Sequence, residues 1–150
     1  MNPAAVLDNK VLISAVAAWL LAQCLKPPFE YLRTRRWNWS SLGNAGGMPS
    51  SHSSLMVSAT NAIALHVGFD SPIFALAVAI TVIVIYDAAG VRRQAGIHAE
   101  RINVLFEELL KGHMWNEQEL GEVLGHSPLE VAGGILLGLI VSTVIWMIWG

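Results

Sequence analysis

Four apolar stretches set the limits on what this chain can become, because a helix crosses a bilayer with about 20 mainly apolar residues. The first runs from about Val6 to Leu25 and meets Pro27-Pro28. The second follows Pro49 and runs through Ser54 to Phe69, and the third runs from Pro72 to about Ala89. The fourth begins at Pro128 and reaches Trp149. Asp70-Ser71-Pro72 is a turn and helix-start signal between the second and third. Pro27-Pro28 is expected to break the first, since proline lacks an N–H and clashes in a helix interior. With 54% hydrophobic and 13% charged residues, the chain has too few charges to cover a soluble surface. Its 150 residues are read as a single integral membrane domain, residues 1–150.

A formal net charge of -2 argues against a nucleic-acid partner. The lone Cys24 cannot form an internal disulfide. No basic segment followed by a small-residue cleavage site marks the N-terminus, so it does not read as a removable signal.

The basic residues orient the spans. Lys26, Arg33, Arg35 and Arg36 fall on the first connection, and Arg92, Arg93, Arg101 and Lys111 on the third, while the second carries none. Basic loops stay cytoplasmic, so both termini are expected outside. A bacterial inner membrane fits this pattern, and a plastid membrane would look the same. Trp37 and Trp39, with Trp146 and Trp149, suit aromatic belts at opposite faces. Within the third connection, Ile102, Leu105, Phe106 and Leu109 recur at helical spacing opposite Glu100, Arg101, Glu107 and Glu108. That pattern is an amphipathic helix, lying in the interface or packed beneath the spans. Asn116 and Glu119 suit the capping box of a short helix ending near Gly125. The expected fold is an all-α membrane protein with about four transmembrane helices, a cytoplasmic amphipathic helix and a short cap helix.

Polar chemistry gathers at two helix starts. Gly46-Gly47-Met48-Pro49-Ser50-Ser51-His52-Ser53 precedes the second span, and Gly125-His126-Ser127-Pro128-Leu129-Glu130 precedes the fourth. Each sets a histidine beside a helix N-terminus, on the same membrane side by the charge argument. Such ends present unpaired N–H groups and a partial positive charge, which suit an anion. Ser54, Ser58 and Asn61 share one helix face and are expected to bond between helices.

These motifs resemble the three short patterns of the type 2 phosphatidic acid phosphatase and vanadium haloperoxidase superfamily. Lys26-Pro27-Pro28-Phe29-Glu30-Tyr31-Leu32-Arg33 resembles the first, although Thr34 stands where the family has proline. Pro49-Ser50-Ser51-His52 resembles Pro-Ser-Gly-His, with Ser51 in the glycine position. His126-Ser127-Pro128-Leu129-Glu130-Val131-Ala132-Gly133-Gly134 resembles the third, with Glu130 for aspartate. The similarity is greatest to the small divergent branch, which also carries stretches like Tyr86-Asp87-Ala88-Ala89-Gly90-Val91-Arg92-Arg93-Gln94-Ala95-Gly96.

The resemblance implies a metal-free phosphatase acting on a membrane lipid phosphate, with no cofactor. His126 would be the nucleophile, Glu130 its partner and His52 the general acid. Lys26, Arg33, Ser50, Ser51, Arg92 and Arg93 would bind phosphate. Two departures keep alternatives open. Leu120 occupies the position of an arginine six residues before the family's histidine, which Arg92 or Arg93 would have to replace. Arg92 also stands six residues before His98, which makes His98 a second candidate nucleophile. Glu130 equally suits the N3 position of a capped helix, Ser127-Pro128 being cap and first residue. Asp87 is a candidate for pairing with a nearby cation or for a direct role. Phosphatidylglycerophosphate, phosphatidate and polyprenyl diphosphate all remain open as substrates. The rival readings are a catalytically decayed lipid-phosphate binder, carrier or assembly protein, and a packing subunit using Gly133, Gly134 and Gly138. A homo-oligomer is compatible with each.

Overall fold

Lipid cannot satisfy backbone polar groups, so a chain with this apolar pattern must close its hydrogen bonds within helices. The computed structural model describes residues 3–43, 46–91, 96, 98, 101–106 and 126–150. Among these, every regular element is helical. Helix α1 spans Lys10–Thr34, α2 Ser51–Val67, α3 Pro72–Tyr86 and α4 Pro128–Trp149. Three segments, Lys10–Thr34, Pro72–Gly90 and Pro128–Trp149, are long and apolar enough to cross a membrane. The protein is therefore an integral membrane protein with an all-α fold. At 17 residues α2 is shorter, and it packs against each of the other three.

Local signals set the helix ends. Asn9 caps α1 by accepting from the Leu12 N–H at 3.0 Å. Ser50, Ser71 and Ser127 cap α2, α3 and α4 in the same way, and Pro72 and Pro128 open the last two. The expected break at Pro27-Pro28 does not occur. Helix α1 runs through both prolines to Thr34 and ends at Arg35, whose φ of 59° is left-handed. Each proline removes one helical hydrogen bond, a penalty of about 3 kcal/mol in an isolated helix. Both prolines are accommodated inside the helix, and Pro27 is buried with Lys26 among the neighbouring helices.

The core is polar in an unusual way. Ser14, Ser50, Ser51, Ser53, Ser54, Ser58 and Ser142 are all buried. Their hydroxyls tie helices together, as expected for Ser54, Ser58 and Asn61. Ser54 Oγ donates to the Gly134 carbonyl at 3.0 Å, and Ser58 Oγ to the Ser14 carbonyl at 2.8 Å. Asn61 Nδ2 donates to Ser142 Oγ at 2.8 Å, and Thr60 and Thr81 hydroxyls meet at 2.7 Å. Small side chains make these contacts possible by letting backbones approach.

Gly134 and Gly138 are spent inside the chain. A Cβ on Gly134 would collide with the Ser50 carbonyl oxygen and sit 2.8 Å from Ser53 Cβ, and one on Gly138 would lie 2.7 Å from the Ser54 carbonyl oxygen. The Gly134/Gly138 spacing, which a packing subunit could also use, forms the α2–α4 contact, because only glycine permits that approach.

Lys10 Nζ donates to the Trp149 carbonyl oxygen, which places the start of α1 at the end of α4. The opposite end gathers the second half of α1, the start of α2 and the start of α4. There the chain after α1 folds back, with Trp37 stacked on Tyr31 at 4.8 Å and on Trp39 at 5.5 Å. Trp146 and Trp149 lie at the far end of α4, so these two and the Trp37–Trp39 pair sit at opposite ends. Residues 101–106 are helical, and Ile102, Leu105 and Phe106 are exposed. Leu109, the cap helix expected from Asn116 to Gly125, and Leu120 lie outside the described residues.

The α2–α4 contact predicts an asymmetric glycine scan. Gly138→Val should destabilise the protein by about 1–3 kcal/mol through overpacking. Gly133→Ala should be near neutral, since its Cβ would meet the flexible Met48 Cε at 3.3 Å. Denaturant unfolding of the purified protein in detergent measures both, and equal effects would contradict this packing.

Candidate active site

At the gathered end, four segments converge on one small region. Pro49 and Ser50 lead into α2, and a left-handed Gly47 (φ 94°) turns the chain over the Lys26 side chain. Ser50 Oγ accepts from the Ser53 N–H at 3.3 Å, which starts α2 at Ser51 and puts His52 in its first turn. The Ser50 N–H donates to the Glu130 carbonyl oxygen at 2.9 Å, so the starts of α2 and α4 are bonded backbone to backbone. The His126 N–H donates to the Ala88 carbonyl oxygen at 3.1 Å. Ala88 belongs to a π turn, Asp87–Val91, that continues α3. Such turns widen a helix locally and often accompany functional sites.

These constraints bring two distant histidines together. The rings of His52 and His126 lie 6.0 Å apart, edge to face. His126 is only 3% exposed, and its Nδ1 lies 3.1 Å from Glu130 Oε2. The same Oε2 accepts from the Ser127 N–H at 3.2 Å, while Ser127 Oγ accepts from the Glu130 N–H at 3.3 Å. The two readings of Glu130 therefore coexist: it closes the capping box and holds the histidine. Lys26 is 2% exposed, and its Nζ donates to Ser51 Oγ at 3.5 Å, within Coulombic range of Glu130.

Of the residues singled out in the sequence, Lys26, Ser50, Ser51, His52, His126 and Glu130 share this region. Arg33 is exposed in the last turn of α1, beyond Lys26 toward the same end. Asp87 opens the π turn and is partly exposed, one residue before the Ala88 that anchors His126. His98 is exposed, and the ring beside His52 is that of His126. Arg92 and Arg93 lie outside the described residues. Sequence reasoning missed the backbone role of Ala88; its signal was the Tyr86–Gly96 stretch, noted only as a family-like string.

Chemically, the region joins two imidazoles, a carboxylate, a buried ammonium and two helix N-termini. A separation of 6.0 Å between ring centres is on the scale of one phosphate with hydrogen-bond-length contacts at each side. Helix N-termini and a lysine supply the positive potential that an anion needs.

Residues 7–141 match the family described as the divergent PAP2 family. The chain is also 36% identical to a protein of Bacillus subtilis named as the uncharacterized membrane protein YuiD, across 93% of this chain and 95% of that protein. No solved structure matches the chain.

The shared capping box has a measurable consequence. Ser127→Ala should cost about 1 kcal/mol of stability. Combining it with Glu130→Ala should cost less than the sum of the two single changes, because they remove reciprocal halves of one motif. A double-mutant cycle from denaturant midpoints checks this; strict additivity would mean that the two halves of the box act independently.

Proposed function

The chain belongs to the divergent PAP2 family, and on that premise we propose that it is a membrane lipid-phosphate phosphatase working through a phosphohistidine. The observation that carries the reading is the meeting of His52 with the buried, carboxylate-bound His126. Glu130 accepts the proton-bearing Nδ1 of His126, which leaves the Nε2 lone pair to attack phosphorus. The N–P bond forms as the bond from phosphorus to the leaving oxygen breaks, and His52 gives that oxygen a proton. Water then attacks the phosphohistidine, His52 takes its proton, and the P–N bond breaks to restore His126. Phosphoryl transfer needs mainly positioning and charge stabilisation. Lys26, Ser50 and Ser51 supply these at the helix start, with Arg33, Arg92 and Arg93 as the guanidinium sources.

The basic residues of the first and third connections support a cytoplasmic position for this end, with both termini outside, and a bacterial inner membrane is the setting we propose. The substrate is then a phosphorylated lipid of that leaflet: phosphatidylglycerophosphate, phosphatidate or polyprenyl diphosphate. A second reading, a decayed lipid-phosphate binder, carrier or assembly protein, draws support from Ser51 in the glycine position and Leu120 in the arginine position.

The purified protein should release phosphate from a lipid phosphate, and vanadate should inhibit it. His126→Ala should abolish turnover, and His52→Ala should lower it on the order of 10²–10⁴-fold. Full activity in both variants rules the mechanism out, and lipid-phosphate binding without turnover across the three substrates favours the second reading.

A further inference from the structure

Helix α2 has four sides, and the structure accounts for three. Ser50, Ser54, Val57 and Asn61 face α4, through Ser54 to Gly134 and Asn61 to Ser142. Ser51 and Ser58 face α1, through Lys26 and the Ser14 carbonyl. Met56 and Thr60 face α3, through Thr81 and the Ala77 carbonyl. Among the described residues, at 3.6 residues per turn, the side left over carries His52, Leu55, Ala59 and Ile63, with His66 beyond them at its far end. All four are partly exposed, while their neighbours Ser51, Ser58 and Ala62 are buried. Helices α1 and α3 pack on α2 from roughly opposite directions, and neither makes its main contact with the other. The fourth side of α2 is therefore the floor of a trough walled by α1 and α3.

The trough has three properties that point to one occupant. Its head is His52, a member of the candidate site. Its floor is otherwise apolar, and Ala59 is small at the middle, where a larger side chain would fill it. From His52 to Ile63 the floor rises about 16 Å at 1.5 Å per residue. That is close to one leaflet of a hydrocarbon core about 30 Å thick.

We propose that the trough over Leu55, Ala59 and Ile63 receives the hydrocarbon tail of the lipid whose phosphate lies between His52 and His126. This rests on the phosphatase reading of that site and adds to it the tail subsite and the residues that set tail bulk. A lipid held this way keeps its tail at the depth of its own leaflet while its headgroup reaches the histidines, so it need not leave the membrane.

The test uses full-length protein in phosphatidylcholine vesicles with a phosphatidate carrying a photoactivatable diazirine at mid-tail. Illumination should label the peptide containing Leu55, Ala59 and Ile63, and excess unlabelled phosphatidate should suppress the label several-fold. Ala59→Phe should reduce labelling several-fold. Ile63→Trp should reduce it likewise, which provides a second variant if the first fails to fold. Label spread evenly over other lipid-facing positions such as Leu76, Val82, Leu136 and Ile140, or label that phosphatidate does not compete, overturns the proposal. Labelling requires no turnover, so phosphate release from the same vesicles is scored separately. Competed label on the stripe without release refutes the phosphatase and keeps the trough; release with even labelling refutes the trough alone.

Discussion

The rest of the structure depends on how closely α4 approaches α2. Two glycines one helical turn apart, Gly134 and Gly138, let the α4 backbone rest against the backbone of α2 where any Cβ would collide with a carbonyl. In a bilayer there is no hydrophobic gain from pressing apolar helices together, so close packing and interhelical hydrogen bonds must hold them. The approach puts Ser54 Oγ on the Gly134 carbonyl, and it puts the Ser50 N–H on the Glu130 carbonyl. Those bonds fix the two helix starts relative to one another, and the helix starts carry the histidines. The site is in this sense a by-product of a tight glycine–serine seam.

The seam also explains why α2, the most hydroxyl-rich of the four helices, can sit at the centre. A serine-lined helix facing lipid would be poorly solvated. Surrounded by α1, α3 and α4, its hydroxyls find the Ser14 carbonyl, the Gly134 carbonyl and Thr81, and its Asn61 amide finds Ser142. Lys26 follows the same logic: at 2% exposure, its ammonium is tolerable beside Ser51 Oγ and the charge of Glu130. Lys26 is buried beside Ser51 Oγ near a helix start, so its side chain can reach an anion bound there, which is what a phosphate subsite requires.

Much of this was legible in the residues. Apolar length marked out the helices, and Ser-Pro and Ser-rich starts marked their N-termini, because caps act through local geometry. The face shared by Ser54, Ser58 and Asn61 was readable from helical periodicity alone. Pro27-Pro28 misled because proline penalties are local, whereas the burial of Lys26 and Pro27 is tertiary. Gly134 and Gly138 misled for a related reason: their spacing signals a small-residue contact without saying whether the partner is another chain or α2. The pairing of His52 with His126 came from resemblance, and spacing alone could not have supplied it. It needs the Ala88 carbonyl to anchor residue 126, and no side-chain pattern announces a backbone acceptor.

Glu130 shows why structure and chemistry cannot be separated at this end of the bundle. One oxygen, Oε2, meets both the Ser127 N–H that begins α4 and the Nδ1 of His126. The N-terminus of α4 therefore orients the histidine through the contact that also caps the helix. Aspartate at this position would have a shorter reach from the helix to both groups.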